Sequence, residues 1–503
     1  MKIRIHTLLL FGIVFFLSQC AKKEEEEGKQ DILIRTELNE VQVDVPHVSW
    51  KTSLAVLSAP GNHMRSEMIT DDIVRRLSEI QGLKVVLFSP ESWANREDGN
   101  VDFLMKGQIT ETKNQAHIDL ILVDVDADSN VWSGSYEEDM SLSPNFGKLV
   151  AREAAPAMGL TVDADETREP ESTSPEALEH YMNGKSYLYG NTRDEINTAV
   201  ASFKEALKSD STYIPAYVGL ADCYLKIYEQ QWDRNLVWLR LAQDIITKVQ
   251  AIVPNLSDVS LRSAQIAMHR GDYKQAETEF RRTIRLNANQ SQAWAGLGKI
   301  FIHYGLYRPC LDVYERALEL NPSDEIVSLG KAMILIGLQE YSTAEAELRR
   351  IIRIHPDRMY LHSFLALARY YQGDLDQATM ELHQGFRGES YRPFSHAVMA
   401  MIHAKQGRLD EALGEVELEV KPYVGNNASL ATAVAAVYVL LNRNGEAIQW
   451  LEMAISWGYQ EYPWLAYDPN FAGLKGDERF HQILEELKKT WEENMGRYNP
   501  VQS

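Results

Sequence analysis

Small residues recur every 34 positions through the middle of this 503-residue chain. Ala264, Gly298, Ala332, Ala366 and Ala400 form one register, and Ala276, Cys310, Ala344, Ala378 and Ala412 form a second, twelve residues further on. A fixed period in this range marks a stack of supersecondary units, none of which buries its apolar face alone. Two small-residue registers at this offset suit two helices joined by a short turn, with a missing side chain letting the helices approach closely where they cross.

The rest of the unit fills in around those registers. The clearest copy runs from Ser291 and holds Trp294, Leu297, Gly298, Phe301, Gly305, Cys310, Tyr314, Ala317 and Pro322. This pattern resembles the tetratricopeptide repeat, whose W-x2-L-G-x2-Y opening is followed by a small residue, an aromatic, Ala and Pro. Apolar residues three and four apart read as amphipathic helices. Gly271, Gly305, Gly373 and Gly407 mark turns, and Pro322 and Pro356 stop second helices. The register predicts about eight helix pairs over residues 175–456. The second pair carries a long insertion around Glu229 to Asn235, and the eighth (Val434, Ala447, Leu451, Ala454) is degenerate. Trp294, Gly298, Cys310, Tyr314, Ala332, Ala344, Ala366 and Ala378 are the expected packing residues.

The amino terminus reads as an address. Lys2 and Arg4 precede an apolar run from Leu8 to Leu17, too short to span a bilayer and suited to a signal-peptide core. The following Ser18, Gln19 and Cys20 resemble a bacterial lipoprotein cleavage box, although Gln19 stands where that box usually has Gly, Ala or Ser. The resemblance implies a signal peptide over 1–19, acylation of Cys20, and a lipid-anchored place in the bacterial cell envelope facing the periplasm. Residues 20–50 then form the lipidated cysteine and an acidic tether, four consecutive glutamates included. A formal charge of −21 repels phosphate backbones and anionic lipid, so no nucleic-acid partner is expected, and the membrane is met only through the acyl group. Cys223 and Cys310 fall in pairs separated by a whole repeat, too far apart for a disulfide, and are expected as buried thiols.

Between residues 51 and 161 the pattern changes. Strands are predicted over Ser53–Ser58, Leu83–Phe88, Val101–Ile109, Ala116–Val125 and Val131–Glu137, with helices over Glu67–Ile80 and Phe146–Met158. That order suggests a small α+β layer fold. The stretch from Thr70 to Val86, the run Asp102 to Gly107, and Leu122 through Trp132 and Ser133 resemble the TolB-like amino-terminal domain of bacterial envelope proteins. The loop Ser58 to Ser66 departs from that family's usual pattern. Residues 162–174 read as a linker. Residues 457–495, with Trp464, Asp468, Pro469, Phe471 and Phe480, resemble the helical cap that follows repeats in proteins pairing these two domains. The expected fold is thus mainly α, a helical solenoid preceded by a small α+β domain.

Three apparent chemical motifs have plainer explanations. Gly184-Lys185-Ser186 lacks the upstream glycine of a phosphate loop, because Glu179 stands there, and lies within a helix. Asp124, Asp126 and Asp128 have the spacing of calcium ligands, but Ser129 and Ser135 replace the required Gly and Glu, so a polar hairpin turn is expected. His362, His396 and His403 sit in adjacent repeats without the convergence zinc needs. No catalytic residue, metal or cofactor is expected, and the chain is not expected to be an enzyme.

In the tetratricopeptide family the groove is built from set positions of each first helix. The resemblance carries these onto Met333, Ile336, Leu367, Tyr370, Tyr371, Phe394, Met401 and Lys405, flanked by Asp222, Lys226, Gln265, Lys299 and His303. An apolar, aromatic middle suits a peptide or helix of a partner protein. The alternative occupants are neighbouring helices and the carboxyl-terminal cap. The expected function is a lipid-anchored envelope scaffold binding protein partners through that groove. The alternative is a regulatory subunit or enzyme with a small-molecule site where the TolB-like domain meets the repeats.

Overall fold

The computed structural model describes residues 45–46, 48–57, 64–88, 93, 101–111, 115–139, 146–162, 174–190, 192–230, 232–388 and 390–496. The signal peptide, Cys20, and nearly all of the tether and of the linker lie outside the described residues. The protein is mainly helical, a solenoid of helix pairs preceded by a small sheet. It divides into two compact units, Pro46–Gly296 with Arg316–Ser323, and Leu297–Glu315 with Asp324 onward.

In the first unit, β1 (Thr52–Leu57), α1 (Met64–Ser78), β2 (Leu83–Phe88), β3 (Phe103–Glu111), β4 (Gln115–Asp124), β5 (Ser129–Asp139) and α2 (Phe146–Ala154) form the α+β domain. The sheet order is β2-β1-β3-β4-β5. β1 runs parallel to both neighbours, while β3, β4 and β5 form an antiparallel meander. Parallel β1 and β2 need a crossover, and α1 supplies it. Ile69, Ile73 and Leu77 of α1 and Val150 and Ala154 of α2 cover one face, against Leu54, Val56, Val85, Met105, Ile118 and Leu122. Ala55, Val86, Phe88, Val101 and Leu104 gather on the other face. Burial on both faces is why β1 and β2 read as unbroken apolar runs. The closing helix is shorter than predicted. Pro156 cannot donate within an α-helix, and residues Ala155–Met158 tighten into a 3-10 turn instead.

The first three helix pairs complete this unit: Pro175–Leu188 with Arg193–Ser209, Ile214–Glu229 with Val237–Ile252, and Ser257–His269 with Tyr273–Leu286. Their starts are set by side-chain caps. Ser174 accepts from the Ala177 amide, Thr192 and Glu195 form a capping box, and Asp272 accepts from Gln275. Two glycines of these helices make room for an aromatic ring. The ring of Phe203 lies 2.7 Å from where a Cβ on Gly184 would be, and 2.5 Å from one on Gly219. The vacant volume holds an aromatic ring of the second helix rather than bringing two backbones together.

The second unit holds most of pair four (Ser291–His303, Tyr307–Leu320) and the pairs Glu325–Gly337 with Tyr341–Ile354, Leu361–Gln372 with Leu375–Gly385, Arg392–Lys405 with Leu409–Gly414, and Ala428–Leu440 with Asn444–Ser456. Gly298 faces Tyr314, whose Cε1 lies 2.2 Å from a would-be Cβ, and Cys310 Sγ donates to the Gly298 carbonyl at 3.2 Å. Ala332, Ala344, Ala366 and Ala378 are fully buried between helices, and Trp294, in the other unit, is buried and donates to the Ala288 carbonyl. The second helix of pair seven changes to a π-turn over Glu415–Val420. The first helix of pair eight is buried nearly all round, as a helix apolar on every face must be. What buries it includes the 3-10 turn Pro469–Leu474, whose Gly473 faces Val439; this turn lies between the last two helices, Tyr462–Tyr467 and Glu478–Gly496.

Candidate binding cleft

The anticipated groove is filled. Of its eight residues, Met333, Ile336, Leu367, Tyr370, Tyr371, Phe394 and Met401 are at most 3% exposed, and only Lys405 stays at the surface. Tyr370 donates to Asn470 Oδ1 at 2.8 Å, and Asn470 Nδ2 donates to the Tyr371 hydroxyl at 3.1 Å. The Trp464 ring sits 2.8 Å from a would-be Cβ on Gly337, and Trp491 Nε1 donates to the Gly305 carbonyl at 3.2 Å. The carboxyl-terminal segment thus covers the Tyr370 and Tyr371 part of the surface expected to receive a partner, and Phe394 is stacked on Phe364 of the preceding repeat, which corrects that expectation. The aromatic and methionine content measures how much apolar surface must be covered, without saying by what. A covalently attached segment meets that demand at high effective concentration.

Two carboxylates enter with the segment. Tyr307 donates to Glu461 at 3.1 Å, and the backbone amide of Asn470 donates to Asp468 at 2.7 Å. Burial pushes both carboxyls well above the usual range, the hydrogen bonds opposing it only in part.

Two of the polar residues expected to flank the groove, Asp222 and Lys226, are engaged in structural bonds. Asp222 accepts from two guanidinium nitrogens of Arg262, at 2.7 and 3.0 Å, and Asp258 accepts from the third at 3.0 Å. Lys226 donates to the carbonyls of Leu188 and Gly190, at 2.9 and 2.8 Å, closing the end of a pair-one helix. Gln265 lies on the same helix as Arg262, and Lys299 and His303 lie on the first helix of pair four. Burial lowers the His303 pKa to about 4, keeping it neutral. His362 pairs with Glu381 at 2.6 Å, and one repeat later His396 pairs with Glu415 at 2.5 Å. Each histidine is thus held by a glutamate of its own repeat. Among the described residues, no group of three or more metal-ligating side chains is placed to hold an ion. Asp124 accepts from the Ala127 amide at 2.9 Å, which is hairpin-turn chemistry.

An open cleft of about 400 Å³ lies elsewhere, within the first unit. Its walls are α1 and β2 on one side, and the starts of pairs two to four with the middle of the first pair-one helix on the other. Asn289 is the principal tie across it. Its Nδ2 donates to the carbonyls of Leu83 (2.8 Å) and Ser78 (3.0 Å), and its Oδ1 accepts from the Val85 amide at 3.0 Å. Asn287 adds a bond to the Ser78 hydroxyl at 3.2 Å, and Tyr189 bonds Asp71. Between Leu83 and Val85 of β2, Lys84 pairs with Glu319 at 3.8 Å, and the Trp50 ring is 5.7 Å from both Lys84 and Arg316. Lys185, from the apparent phosphate motif, lines the cleft from the last turn of its helix and lies over the Tyr189 ring. Sequence reasoning missed Asn289, because an asparagine between two helices reads as a turn residue and its partners lie more than 200 residues away.

Residues 393–417 match the family model for the tetratricopeptide repeat, and residues 162–369 match that for the tetratricopeptide repeat protein 21 C-terminal ARM domain. The helix pairs form a tetratricopeptide-like solenoid. Solved tetratricopeptide structures resemble the chain at low identity. A tetratricopeptide repeat protein from Parabacteroides merdae is 14% identical, covering 56% of this chain and 99% of its own, at a TM-score of 0.36. PilF of Pseudomonas aeruginosa is 18% identical, covering 45% and 97%, at 0.38. Yeast Tom70 is 17% identical, covering 68% of each chain, at 0.37. At these scores the likenesses carry no functional argument. A search of curated protein sequences found no match.

Proposed function

We propose that this tetratricopeptide protein is a lipid-anchored scaffold of the bacterial envelope, facing the periplasm, that binds protein partners at the cleft beside β2. The cleft itself carries the reading: it remains open between the sheet domain and the first repeats, whereas the later first helices are covered in cis. Its size falls within the range of about 300–1,000 Å³ common to ligand sites. The anchor rests on Lys2, Arg4, the apolar run and Cys20. Among the described residues no helix is long and apolar enough to cross a membrane. The amino-terminal domain reads as TolB-like from the residues between Thr70 and Ser133.

Two measurements test this. Cys20→Ser should abolish incorporation of labelled palmitate and release the chain from membranes; continued membrane association would refute the lipid anchor. A photo-crosslinker at Met182, in the cleft, should capture a defined protein that Lys185→Glu releases. One at Tyr371 should capture none. Capture from Tyr371 alone would refute the cleft.

The same cleft favours a second reading, a regulatory subunit or enzyme taking a small molecule where the TolB-like domain meets the repeats. A small ligand that raises the melting temperature without any protein partner would select it.

A further inference from the structure

The covering segment meets the repeats in order. Glu461 accepts from Tyr307 at the start of the second helix of pair four, and Trp464 packs on Gly337 of pair five. Asn470 bonds Tyr370 and Tyr371 of pair six, and the Gly473 carbonyl accepts from Asn444 of pair eight at 3.1 Å. Residues 461–473 therefore run along the concave face as a bound peptide would, in the direction of the stack. Their contacts differ in kind from those between the helices. The helix pairs close on Ala332, Ala344, Ala366 and Ala378, whereas the segment brings in Glu461, Asp468 and Asn470, each at most 6% exposed. Interfaces that stay closed are mostly apolar, and those that separate carry more polar groups.

We propose that residues 459–496 form a releasable strap over the concave face, and that loss of the protons on Glu461 and Asp468 opens it. A carboxylate buried without a full counter-charge is costly, and withdrawing the strap returns both groups to water. The groups facing them compensate little. Glu461 meets Tyr307, Cys310 and Tyr459. Asp468 meets Tyr370, Tyr371, Tyr459 and Trp464, with Lys405 the one cation among them. Burial accordingly holds both carboxyls above their usual range. The protons held in the closed state are lost as pH rises, so the strap is tightest in acid and loosens toward alkaline pH. The helix pairs keep their own main-chain hydrogen bonds when it lifts. Lifting lays bare Tyr370, Tyr371 and the surface at Gly337, and the cleft beside β2 plays no part in it.

Hydrogen exchange of the full chain, read by mass spectrometry at about pH 5 and about pH 9 and corrected for the intrinsic effect of pH, tests this. Amides of residues 462–474 should lose at least about tenfold in protection between the two, while those of Leu361–Gln372 keep theirs. The combined variant Glu461→Gln, Asp468→Asn has no such protons to lose and should abolish the difference. The parent series needs no variant to fold. Equal loss in both segments would mean global unfolding, and no loss in either would mean a fixed cap. Each of those results overturns the proposal, as does a pH dependence that survives in the variant.

Discussion

Tyr370 donates its hydroxyl hydrogen bond to the side-chain carbonyl of Asn470 at 2.8 Å, across 100 residues of sequence. The same carboxamide donates to Tyr371. One residue therefore bonds two phenols that are buried in an apolar interior. Asn470→Ala should cost about 2–4 kcal/mol, because each unsatisfied buried group costs about 1–3 kcal/mol. Urea denaturation measures it, and a loss below about 0.5 kcal/mol would mean that water replaces the amide.

Gly298 makes room for the Tyr314 ring. Gly298→Ala should destabilise by about 1–3 kcal/mol, as overpacking does in a filled core. Tyr314→Leu in the same chain should recover part of that loss, because it removes the atoms the new methyl meets. Simple additivity of the two substitutions in thermal melts would show that the glycine serves close helix approach instead.

Glu461 makes stability depend on pH in a defined direction. Its folded pKa lies above its unfolded value because burial disfavours the carboxylate, so the folded state holds the proton more tightly. Its favourable contribution is fully present below the unfolded pKa, near 4.5, and is lost as pH rises toward the folded value. Glu461→Gln mimics the neutral form. Its melting temperature should match the parent near pH 4 and exceed it at pH 7. A constant offset between the two pH values would exclude this linkage.

The two described thiols should be inert in the native protein. Cys223 and Cys310 are free and buried, and burial pushes both thiols up, away from the reactive thiolate. A maleimide at pH 7 should label neither until denaturant is added. Rapid native labelling of Cys310 would contradict its packing against the Gly298 carbonyl.

Asn289 gives the cleft its geometry. Asn289→Asp leaves an acceptor facing the carbonyls of Leu83 and Ser78, which need donors. Amide exchange at Val85 should then accelerate by at least about tenfold, equivalent to about 1.4 kcal/mol of lost local stability. Unchanged protection would mean that Asn287, Tyr189 and the Trp50 contacts hold the strand without it.

The sequence by itself determined the helix pairs, their register and the strands of the small domain. Those features come from contacts within about one repeat or between neighbouring strands, and such contacts leave a period, a cap or an apolar run in the residues concerned. It also showed which first helices carry aromatic surface in need of cover. Only the tertiary structure decided that Trp464, Asn470 and Trp491 supply that cover, and that Asn289 closes one rung of β2 beside an open cleft. These pairings span 99 to 206 residues and depend on single side chains meeting in space. No local periodicity records them, because the free energy they contribute is the same wherever along the chain the partner lies.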